Sequence, residues 1–62
     1  MDWITAENVS RTRAVRAWHY LYNRGILSKW DAETKAFRVL ITKHGAESCE
    51  RAMNKALGRE SA

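Results

Sequence analysis

Proline is absent from this chain of 62 residues, and cysteine occurs once, at Cys49. Without proline, no residue lacks its backbone N–H or clashes with a preceding turn, so the composition favours helices. A single cysteine excludes an internal disulfide and fits a reducing cytoplasm. No apolar run approaches the roughly 20 residues of a membrane span. The opening MDWITAENVS has neither the basic head nor the apolar stretch of a signal peptide. The three glycines, Gly25, Gly45 and Gly58, stand too far apart to form a phosphate loop.

The same scarcity limits chemistry. His19 and His44 are the only imidazoles, and with Cys49 they show none of the close spacings of a metal site. Cys49 falls between Ser48 and Glu50, and a neighbouring carboxylate disfavours the reactive thiolate. Neither a cofactor nor a metal is expected. Catalysis is not expected either, because so short a chain encloses little pocket.

What is present is positive charge and large aromatics. Eleven Lys and Arg stand against seven Asp and Glu, a formal net charge of +4. That balance permits nucleic-acid or acidic partners. Trp3, Trp18 and Trp30 are many large side chains for one small core, and they are candidate interface residues. A core of this size rarely supplies more than ~3–5 kcal/mol. With no disulfide or metal available, a homodimer is one way to add stability.

Periodicity then predicts an all-α fold, a small three-helix bundle in a single domain over 1–62. Residues 1–9 are expected to form an arm or short helix, and 59–62 a frayed tail. Ser10 should cap a first helix over 11–24 that Gly25 ends. Its apolar face is Ala14, Val15, Trp18, Leu21 and Tyr22. Arg11 and Arg13 stand in its first turn, where the helix dipole disfavours cations. GILSKW is short and has no apparent partner strand, so a sheet is rejected. Asp31 should cap a middle helix over 32–44, with Ala36, Phe37, Leu40, Ile41 and His44 buried and Gly45 as its stop. A last helix ends at Gly58 and buries Ala46, Cys49, Ala52, Met53, Ala56 and Leu57.

The last two helices, so closely joined, suggest a helix-turn-helix. Arg51 and Asn54 are then candidates for reaching base edges, and Lys55 for phosphate. Arg13, Arg16, Tyr20 and Arg24 form a second basic stripe. The expected function is double-stranded DNA binding of the transcription-regulator type. The alternative is a protein-binding inhibitor or adaptor, of the kind found among short proteins of phages and mobile elements. A third reading is RNA binding through Arg13, Arg16, Tyr20 and Arg24.

Overall fold

The computed structural model describes residues 2–59 and contains both helices and strands. In chain order the elements are β1 (Trp3–Glu7), α1 (Arg11–Asn23), β2 (Ser28–Asp31), β3 (Ala36–Leu40) and α2 (Ala46–Ala56). The strands form one antiparallel sheet in the order β1-β3-β2. β1 and β2 therefore run parallel to each other with β3 between them, a split β-α-β arrangement followed by a second helix.

The three-helix bundle and the helix-turn-helix are thus overturned. Residues expected in a middle helix form a turn and the central strand instead. The expected N-terminal arm is β1. The rejected segment GILSKW supplies β2, because its partner lies in the stretch read as helix. Gly45 does not stop a helix but precedes one, as the residue capping the start of α2. α2 consequently follows a strand and a loop, not a partner helix.

Local chemistry accounts for these elements. Val39 and Phe37 suit a pleated, buried strand better than a helix. Their register neighbours are Ile4 and Ala6 on β1, and Ser28 and Trp30 on β2. These six side chains make the sheet face that meets the helices. Asn8, at φ 59, turns the chain out of β1, and Asn tolerates that conformation better than most residues. Ser10 then starts α1 as expected: its hydroxyl accepts from the Arg13 N–H at 3.2 Å.

Gly25 ends α1 with a two-bond lock. Its N–H donates to the Tyr22 carbonyl at 3.0 Å, and the Ile26 N–H reaches the Leu21 carbonyl at 2.9 Å. This is the Schellman geometry, which needs the positive φ of 73 that Gly25 adopts. Ile26 is buried beside it.

Asp31 does not cap a helix. Its carboxylate folds over the β2–β3 turn and accepts from the Glu33 N–H at 3.0 Å and the Thr34 N–H at 3.5 Å. The Thr34 side chain first, then these backbone donors and the Arg38 charge, hold its pKa below the ordinary 3.8. Because the folded value is the lower one, Asp31 contributes stability above 3.8 and loses it as pH falls through the folded value. The melting temperature of the native chain should therefore decline in that acid window, and that of Asp31→Asn should decline less.

Lys35 closes the same turn at φ 52, a conformation costly for any residue with a Cβ. Lys35→Gly should raise stability by roughly 0.5–1 kcal/mol. Thermal melts of the two proteins would show a midpoint a few degrees higher for the variant; an equal or lower midpoint would refute the strain.

The core lies between the sheet and the two helices. Phe37, Val39, Leu21, Cys49 and Leu57 are fully enclosed, with Ala14, Ala17 and Met53 around them. α1 packs over β2 and beside α2, while α2 lies over β3 and β1. The expected buried face of α2 survives in Cys49, Met53 and Leu57, with Ala52 and Ala56 half-buried, but Ala46 is exposed. That of α1 is rotated. Ala14, Ala17 and Leu21 are buried, whereas Val15, Trp18 and Tyr22 are exposed. Of the expected middle-helix core, Ala36 and Phe37 are buried, Leu40 and Ile41 half-buried, and His44 exposed.

Among the described residues, no helix covers the far face of the sheet. Trp3, Thr5 and Glu7 of β1 share it with Ala36, Arg38 and Leu40 of β3 and with Lys29 and Asp31 of β2. Lys29 Nζ stands 4.9 Å from the Trp3 ring centroid. Among the described residues, no helix is long and apolar enough to cross a membrane.

Candidate nucleic-acid interface

Two helices lying side by side on one sheet leave a furrow between them, and its walls are set by helical phase. On α1 and its C-terminal cap, residues about a third of a turn from the core-facing line are Arg13, Tyr20 and Arg24. On α2 the matching positions are Ser48, Arg51, Ala52 and Lys55. The furrow is a cleft of about 610 Å³ lined by Tyr20, Arg24, Ser48, Arg51, Ala52, Asn54, Lys55 and Arg59. A second hollow of about 370 Å³ continues it toward the start of α1, where Arg13 and Arg16 face Lys55.

Six of the eleven cations thus border one furrow. All seven expected nucleic-acid-binding residues, Arg51, Asn54, Lys55, Arg13, Arg16, Tyr20 and Arg24, line one hollow or the other. They come from two helices that the sequence reading had placed in separate roles. Arg59, expected in a frayed tail, was missed. Its guanidinium donates to the Glu7 carbonyl at 2.8 Å, which ties the end of α2 to β1. The remainder of that expected tail, residues 60–62, lies outside the described residues.

The cleft is not uniformly basic. Arg51 pairs with Glu47 one turn earlier at 3.3 Å, and both groups are largely in water. Such a pair contributes little to stability and leaves the arginine open to exchange for another anion. Arg24 lies over the Tyr20 ring, 4.7 Å from its centroid, which presents its charge toward the cleft from a fixed platform. Glu47, Glu50 and Asn54 share the outward side of α2. That side presents two carboxylates where a groove-reading helix needs donors.

The other candidates fall elsewhere. Trp3 is half-buried on the open sheet face, Trp18 is exposed on the flank of α1 away from α2, and Trp30 is half-buried against the core. They do not meet as one interface. Cys49 is enclosed, with its Sγ 3.9 Å from the Thr42 hydroxyl, so its surroundings are those of a packing residue. Among the described residues, no three His, Cys, Asp or Glu stand close enough to hold a metal ion. The chain matches no protein-family model, no curated protein and no solved structure.

Proposed function

We propose that this protein is a non-catalytic module that binds double-stranded DNA by its phosphates, with the furrow between α1 and α2 as the contact surface. One observation carries this reading: six arginines and lysines, four on the two helices and Arg24 and Arg59 just past their C-terminal ends, border one furrow, against one neighbouring carboxylate already engaged. Arginine forks and lysine ammonium groups at the walls of a furrow suit a line of phosphates. From Arg13 to Arg24 the basic wall of α1 extends roughly 16 Å at the helical rise. That reaches several successive phosphates of one strand.

The mixed outward side of α2 supports backbone gripping in preference to base reading. The expected contact is therefore tolerant of sequence and steeply dependent on salt. The test is a titration of a labelled duplex, followed by anisotropy at several salt concentrations. With four to six phosphates engaged, the logarithm of affinity should fall with the logarithm of salt at a slope of about −4 to −5. A flat salt response, or no binding at low salt, would defeat the reading.

A further inference from the structure

We infer that the outer flank of α1, at Trp18 and Tyr22, is a stacking platform for the bases of single-stranded DNA. The two rings lie 5.2 Å apart between centroids and nearly parallel, at 21°. Tyr22 is 66% exposed, so its ring is open to a further partner. His19 meets the Trp18 ring edge-on at 4.9 Å. Rings held in place before binding lose little freedom when a ligand arrives. Such a surface accepts any base, because every base has a π-face. α1 lies over the edge strand β2, so the flank meets solvent at the margin of the molecule.

The surroundings select an anionic ligand. No acidic residue stands between Glu7 and Asp31, a stretch that holds Arg11, Arg13, Arg16, Arg24 and Lys29. Arg11 lies on the same line of α1 as Trp18 and Tyr22, two and three turns before them. The first turn of α1 has no acid to offset Arg11 and Arg13. This like charge opposes a second copy at the flank, and three apolar side chains are a small surface for a protein partner. A single strand matches both properties at once, with phosphates for the arginines and bases for the rings.

The platform also connects to the furrow. Arg13, Arg16, His19 and Tyr22 follow one another at intervals of three residues, and all four are exposed. Such a row winds across the outward side of a helix. It starts with Arg13 at the second hollow and ends on the Tyr22 ring. At the helical rise it covers roughly 14 Å along the axis. A strand leaving a duplex in the furrow therefore meets cations on its way and a ring at its end. This path rests on the proposed duplex contact. The platform itself does not, because bases stack there whether or not a duplex fills the furrow.

Anisotropy with labelled oligothymidylate and with an abasic strand of equal length tests this. The abasic strand keeps the phosphates and lacks the bases. The native chain should bind oligothymidylate about fivefold tighter or more, the worth of one stacked base. Tyr22→Ala should erase that difference, and Tyr22→Phe, which keeps the ring, should preserve it. Tyr22 stands in water, so the circular dichroism spectrum should not change. A blunt duplex should bind all three proteins alike. Equal native affinity for the two strands overturns the inference, as does a base preference that survives Tyr22→Ala. Tighter binding of oligouridylate than of oligothymidylate would make the ligand RNA and overturn the assignment to DNA. Displacement by oligoglutamate as effective as by unlabelled oligothymidylate would make it an acidic polypeptide instead. A native chain that ignores the blunt duplex but keeps the base preference refutes the furrow reading and upholds the platform.

Discussion

Phe37→Ala should abolish the cooperative thermal transition. Phe37 is wholly enclosed on the central strand, opposite Ala6 on one side and Trp30 on the other. Its ring therefore touches the sheet it belongs to and the helices above it. Truncating a buried phenylalanine costs about 3–5 kcal/mol through lost transfer energy and the cavity left behind. A core this small supplies about the same amount in total. Circular dichroism should show a broad, non-cooperative melt at ordinary temperature. Val15→Ala, on the exposed side of α1, should shift stability by no more than about 0.5 kcal/mol. A sharp transition within a few degrees of the native one for Phe37→Ala would mean the core is not where the fold places it.

The second large effect is on binding. Arg51→Glu combined with Lys55→Glu should weaken duplex binding on the order of 100-fold or more, and should flatten the salt slope by about 2. Both side chains are exposed, so folding should be retained. The substitutions place two carboxylates beside Glu47 on the wall of the cleft and repel the phosphates that the native residues attract. Charge alone is separated from position by a control. Lys35→Glu with Lys43→Glu changes the formal net charge equally, from +4 to zero, but both lie in loops outside the furrow. If the two double variants lose affinity equally, the protein binds by its overall field and the furrow is not its contact surface.

The two outer boundaries of α1 were legible because they are local. Ser10 and Gly25 act on backbone groups within a few residues, and no distant part of the chain can cancel them. The buried side of α2 was legible for a related reason, since the phase of Cys49, Met53 and Leu57 is a property of one helix. The same locality explains why the seven residues expected to bind nucleic acid lie along one furrow: each stripe stays off the core-facing line of its own helix even though the apolar face of α1 is rotated and the helices' partnership differs.

The central strand was not legible. Phe37, Leu40 and Ile41 recur at helical spacing, while Phe37, Val39 and Ile41 alternate, so one short apolar run satisfies both periods. Asp31 satisfies two roles equally, since a carboxylate that caps a helix also caps a turn. The decision came from pairing. β3 finds β1 more than thirty residues away, and once it is a strand, the segment GILSKW has the partner whose apparent lack had excluded it. One local misreading thus produced the other.

The order of residues alone determined where the helices at either side of that run begin or end, which side of α2 is oily, and that positive charge gathers along particular stripes. Only the tertiary structure decided that residues 36–40 are a strand, that the two basic stripes face each other, and that Val15, Trp18 and Tyr22 are left in water. The physical reason is width. A sheet of three strands covers one side of each helix and no more, so an apolar surface broader than that is buried only where the sheet reaches it.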